Sequence, residues 1–210
     1  MPFDVTSLVN PNHTALLTNE VQSSVLDAGG DLAENARSIL GNIVSLADAA
    51  RRAGVPVLHA VKHFRRDSLA RNRNIVLYQR RGVLPDADAP PDPDSRLQPG
   101  CHVVPELGPD ERDLVMTRLH GMGAVHDSGI DPVLRILSVS TVVVVGVSLN
   151  VGITNSVMDL ANRGYDVVVP SDAVAGTPME YQDQVMRHTI KYLARVTPTR
   201  SILEAWSANS

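Results

Sequence analysis

The chain has 210 residues, 19 basic against 23 acidic side chains for a net charge of -4, aromatic residues at 3% and one cysteine. This length supports one well-buried domain over 1–210, and the slight acidity with so few rings to stack bases argues against nucleic acid as a partner. Cys101 alone excludes an intrachain disulfide framework, the N-terminus lacks a signal-peptide pattern, and no apolar run approaches the roughly 20 residues that span a bilayer, so a soluble, cytoplasmic protein is expected.

In chain order, the first apolar run is TALLTN at 14–19. Leu32, Ala36, Ile39, Leu40, Ile43, Ala47 and Ala50 then recur at three- and four-residue spacing, and RRAG closes that segment with basic residues before a glycine, which predicts a helix with a C-terminal stop. A second apolar run, VPVLHAV at 55–61, follows. The stretch around 64–113 is too long for an ordinary connection and contains PDADAPPDPD, which suits neither a helix nor a central strand. It is expected to be an insertion, basic in its first part and acidic in its second, and a solvated flap is the favoured form over a lid or subunit contact.

LVMT at 114–117, TVVVVGV at 141–147 and YDVVVP at 165–170 supply three more strands. Four consecutive valines suit a strand buried on both faces, and the glycine with Ser148, Asn150, Thr154 and Asn155 suits a turn into a helix from about Val151 to Arg163. Glu180 to Ala194 carries Tyr181, Val185, His188 and Tyr192 at helical spacing, and TPTRSILEAW predicts a short strand or turn and a helix beginning near Thr199. Strands alternating with helices give an α/β fold, a three-layer α-β-α sandwich with a mostly parallel, Rossmann-like sheet.

Ligands of such sheets sit beyond the carboxyl ends of the strands, which points to Asn19, Glu20 and Gln22 after the first, Arg118 and His120 after the third, and Ser148, Asn150 and Gly152 after the fourth. GVSLNVG lacks the G-x-G-x-x-G spacing of a dinucleotide site, and no G-x-S-x-G serine elbow occurs. His59 and His63 would bind zinc on a helix, but on a strand they lie roughly 13 Å apart, too far for one ion. No metal and no cofactor is expected. Cys101 has no helix start around it and is expected to be an inert thiol.

Three stretches, TALLTNEVQ, VMTR and GVSLNVGITNSVMDLANRGYDVVVPSDAVAG, together resemble the isochorismatase-like hydrolase superfamily, which includes nicotinamidases and related cysteine hydrolases. The resemblance extends over most of the chain and is weakest in the insertion. It places Glu20 where the family carries an aspartate, Arg118 where it carries a lysine, and Gly152 where it carries the nucleophilic cysteine. All three members of the usual triad are changed. The family's isochorismatases also lack the cysteine and hydrolyse a vinyl ether without a covalent intermediate.

The resemblance therefore implies a small-molecule hydrolase without a cysteine nucleophile, with Glu20 as acid/base and Arg118 as its electrostatic partner, since arginine does not give up its proton. Glu20 is expected to hold a water in the space above Gly152, while Arg118 holds a substrate oxygen. The N–H groups of Val151 and Gly152 would stabilise negative charge beside a Val147–Ser148 peptide that the family suggests is cis. Gln22, His120, Val147, Ser148, Asn150 and Val151 complete the expected substrate-binding set. The first test is an approach of Glu20 to Arg118. Glu20→Gln is expected to abolish turnover with folding nearly intact, and Gly152→Cys to give an unusually reactive thiol. A catalytically inactive small-molecule-binding or regulatory relative is the alternative, an oligomeric scaffold the third class, and relatives of this kind commonly form dimers or tetramers.

Overall fold

The computed structural model describes residues 4–63, 76, 99–119 and 122–208. Strands β1 (Thr14–Asn19), β2 (Val57–Lys62), β3 (Leu114–Arg118), β4 (Thr141–Val147), β5 (Asp166–Pro170), β6 (Val174–Ala175) and β7 (Arg195–Thr197) form one sheet. Its order is β3-β2-β1-β4-β5-β7, with β6 beside β4, and every ladder is parallel. The helices are α1 (Val5–Leu8), α2 (Ser23–Leu26), α3 (Asp31–Arg52), α4 (Ile130–Ile136), α5 (Thr154–Asn162), α6 (Met179–Val185, continuing helically to Leu193) and α7 (Thr199–Ser207).

The valine run is explained by burial on both faces. Val143 and Val145 pack with α3 and Trp206 of α7, while Val142 and Val144 pack with Ile130 and Leu134 of α4 and Val157 and Leu160 of α5. Burying each valine contributes about 1.5–3 kcal/mol, and slipping one residue would exchange the two faces. Gly146 ends the run because β1 passes too close for a side chain. Its φ is 107°, and a Cβ there would lie 2.3 Å from the Asn19 carbonyl oxygen.

Helix α3 begins with Asp31 and Glu34 in its first turn, ends with Arg51 and Arg52, and stops before Gly54 at φ 74°. Its buried stripe includes Ala36, Leu40, Ile43 and Ala47, as the spacing predicts. Asp172 ties down the start of α7, accepting from the Thr199 N–H at 2.8 Å and its hydroxyl at 2.7 Å. At the other end Trp206 is buried and donates its indole N–H to the Val9 carbonyl at 2.8 Å.

Two expectations need correction. On α6 only Val185 of the four spaced residues is buried; Tyr181, His188 and Tyr192 face outward, and Ile190 of the continuing turns supplies the second buried anchor. A wide π-type stretch at Met186–Ile190 shifts the phase beyond Val185, so spacing counted at 3.6 residues per turn lands on the wrong face at His188 and Tyr192, whereas Tyr181 is exposed in the first turn. The solvated-flap reading also fails for the described end of the insertion. Residues 64–75 and 77–98 lie outside the described residues, but Val103, Val104 and Leu107 join the α3-side core, and Gln22 makes an antiparallel bridge to Val103. Among the described residues no helix is long and apolar enough to cross a membrane.

Candidate active site

Strand alternation sorts the polar residues onto two faces. Leu16, Val57 and Val61 belong to the α3-side core, whereas Ala15, Leu17, Leu58, Ala60 and Met116 belong with α4 and α5. By the same period, Asn19 and Arg118 project toward α5 at the carboxyl ends of β1 and β3. Glu20 leaves the strand at φ 52°, in the left-handed region where a side chain of this kind is uncommon. Its carboxylate accepts a charge-assisted hydrogen bond from Nη2 of Arg118, 98 residues away in sequence. The guanidinium side chain is 4% exposed and the carboxylate side chain 22%. Nε and Nη1 of Arg118 are buried and have no hydrogen-bond partner among the described residues.

At the end of β4 the Val147–Ser148 peptide is cis, as the resemblance implies. The turn that follows departs from expectation: a wide π-type turn at Leu149–Ile153 precedes α5, so the helical path starts before Val151. Gly152 is buried in that turn. A Cβ at this position would lie 2.6 Å from Nδ2 of Asn19, with the carbonyl oxygens of Met122 and Val147 at 3.4 Å. Asn19, fully buried, donates Nδ2–H to the Val147 carbonyl, and its buried Oδ1 has no partner among the described residues. The position a Cβ at residue 152 would take is therefore filled by the Asn19 amide.

Several expected ligand contacts are spent on the protein itself. Gln22 is fully buried; its Oε1 accepts from the Lys62 N–H at 2.7 Å, and its Nε2 donates to the Lys62 carbonyl at 2.9 Å and to Ser24 Oγ at 2.8 Å. It fastens β2 to the loop after β1, with both ends of its buried amide engaged by the protein. The Val151 N–H donates to the Ser148 carbonyl at 3.1 Å, which removes it from the expected anion site. Asn150 donates Nδ2–H to the Thr177 carbonyl at 3.2 Å and packs against Gly176, so it braces the turn before α6. Ser148 heads the wide turn, Val147 lends its carbonyl to Asn19 with its side chain in the core, and His120 lies outside the described residues.

On the opposite face, Thr18, His59 and Asp113 form a buried chain. His59 Nε2 faces Asp113 Oδ2 at 3.1 Å; a carboxylate accepts only, so this nitrogen carries the proton and Nδ1 accepts the Thr18 hydroxyl at 2.8 Å. Burial pushes the imidazole below its ordinary value, outweighing the opposite pull of Asp113. Burial would raise the Asp113 carboxyl, but hydrogen bonds from Arg51, the Asp110 N–H and His59 together hold it below the carboxylate range. Arg51 Nη2 reaches Asp113 at 2.7 Å and also donates to the Leu107 carbonyl at 3.0 Å. Sequence reasoning missed Asp113, which sits at the end of a loop. It did place Asn19 at the first strand end, an amide closing a strand whose six residues are all buried, but not its approach to Gly152.

Residues 14–201 match the family profile described as the Isochorismatase domain. An uncharacterised isochorismatase family protein of Escherichia coli O157:H7 is 24% identical over 206 residues, 94% of this chain and 98% of that protein. A ureidoacrylate amidohydrolase of Rhizobium rhizogenes is 27% identical over 176 residues, covering 79% and 71% of the two chains. Among solved structures, a cysteine hydrolase from Pseudomonas syringae pv. phaseolicola superimposes with a TM-score of 0.82 at 24% identity, covering 97% of this chain and 96% of its own.

Proposed function

Because the chain belongs to the isochorismatase family of hydrolases, we propose that it hydrolyses a small molecule without forming a covalent enzyme intermediate. The observation that carries this reading is the Glu20–Arg118 pair, with two buried guanidinium donors that have no partner among the described residues, at the strand ends where sheets of this kind bind ligands. Buried donors without partners are costly, about 1–3 kcal/mol each, and a ligand oxygen would satisfy them.

In this scheme the substrate's oxygen accepts from Arg118, which polarises the carbon of the scissile bond. Glu20 takes a proton from a water standing on its own side of the cleft, since Asn19 occupies the place above Gly152. The hydroxide adds to the carbon, the carbon–heteroatom bond breaks, and the departing heteroatom receives the proton held by Glu20. Arg118 supplies charge throughout and no proton.

A second reading, binding without turnover, is favoured by the engagement of Glu20 with Arg118 and by the occupied place above Gly152. The test is product detection by mass spectrometry across vinyl ethers, esters, linear amides and ureides, ureidoacrylate included, with wild type and Glu20→Gln. Turnover lost in Glu20→Gln supports hydrolysis; wild-type thermal shifts with no product from any compound support binding alone. Equal turnover in both proteins would remove Glu20 from the mechanism.

A further inference from the structure

The place a side chain at residue 152 would occupy is already taken by a neighbour from another strand. We infer that Asn19 and Gly152 are one coupled unit, in which the Asn19 carboxamide is the gatekeeping group that closes the nucleophile position and faces whatever the cleft binds there.

Asn19 and Gly152 meet because the end of β1 lies beside the end of β4, with Asn19 opposite Gly146. An ordinary van der Waals contact starts at 3.4 Å, so the Nδ2 atom would have to retreat by about 0.8 Å to admit a single carbon at residue 152. The Met122 and Val147 carbonyl oxygens, each at the edge of contact, bound the same point, so the added carbon has no alternative direction. Asn19 cannot retreat without cost, because its side chain is fully buried and turning it away breaks the bond to the Val147 carbonyl. That bond also sets which end of the amide faces Gly152, since the carbonyl needs a donor. The acceptor end, Oδ1, is buried with no partner among the described residues, and a hydrogen-bond donor on a ligand would satisfy it. A side chain at residue 152 is thus absent by the glycine and disfavoured by Asn19, which holds the place where it would begin.

The inference stands whether or not the protein turns a substrate over, and its test reads no turnover. Gly152→Ala, Gly152→Cys and each combined with Asn19→Ala are compared by thermal melting, and residue 152 is followed by iodoacetamide labelling and peptide mass mapping, which separates it from Cys101. Gly152→Ala should lower the melting temperature by about 5 °C, and adding Asn19→Ala should return most of that loss relative to Asn19→Ala alone. Residue 152 should label about tenfold faster in Asn19→Ala/Gly152→Cys than in Gly152→Cys. Gly152→Ala as stable as wild type, additive melting shifts, or equal labelling in the two cysteine variants would each overturn the coupling. If Gly152→Cys does not fold, the alanine pair alone decides by the same criterion.

Discussion

Glu20→Gln tests whether the ion pair at the strand ends holds the fold as well as the site. The swap keeps the shape of the side chain and removes its charge, leaving the Arg118 guanidinium, 4% exposed and with no partner for Nε and Nη1 among the described residues, facing a neutral amide. Stranding one member of a buried pair costs about 3–5 kcal/mol. Glu20 is 22% exposed and the new amide oxygen still accepts from Nη2, which reduces the expected loss to about 1.5–3 kcal/mol. At about 2–4 °C per kcal/mol for a chain of this size, the melting temperature should fall by about 3–12 °C. This revises the sequence expectation of nearly intact folding. Adding Arg118→Met removes the stranded cation, so the double variant should be more stable than Glu20→Gln. Thermal and urea melts of wild type, both single variants and the double form the cycle. A Glu20→Gln protein melting with wild type, and a double variant no more stable than it, would refute the claim that Glu20 balances the buried charge of Arg118.

Acid should weaken the fold in two stages. His59 binds its proton less readily folded than unfolded, so its contribution is complete above about pH 6.5 and is lost as pH falls below that value; Asp113, depressed in the folded state, adds stability above about pH 4 that is lost below it. The urea midpoint should therefore drop between pH 7.5 and pH 5, and His59→Gln should flatten that drop; an unchanged slope would remove His59 as its source. Asp113→Ala strands Arg51, the His59 N–H and the Asp110 N–H together, and should cost about 3–5 kcal/mol by urea unfolding, with a loss under about 1 kcal/mol contradicting the buried network. Trp206, the one tryptophan of the chain, should fluoresce as a buried indole in the native state, and Trp206→Ala should cost about 3–5 kcal/mol. Native emission at the wavelength of free indole would place it outside the core.

The sequence by itself determined the layered α/β architecture and the extent of α3. Those features are written in short-range patterns: valines that need cover on both faces, an apolar stripe repeating every three or four residues, basic residues and a glycine at a helix end. Val142 to Val145 and Ala36 to Ala47 meet these requirements whatever lies elsewhere in the chain. The convergence of Glu20 and Arg118 was legible too, once strand order followed from the resemblance. Tertiary structure alone decided what the converging groups do to one another. Asn19 fills the position above Gly152 because the β1–β4 register brings two strand ends into contact, a distance of a few ångströms that no local pattern encodes. Gln22 spends its amide on Lys62, and Asp113 enters the core beside His59, for the same reason: a buried polar group must find a partner, and which partner is nearest depends on how separate segments pack.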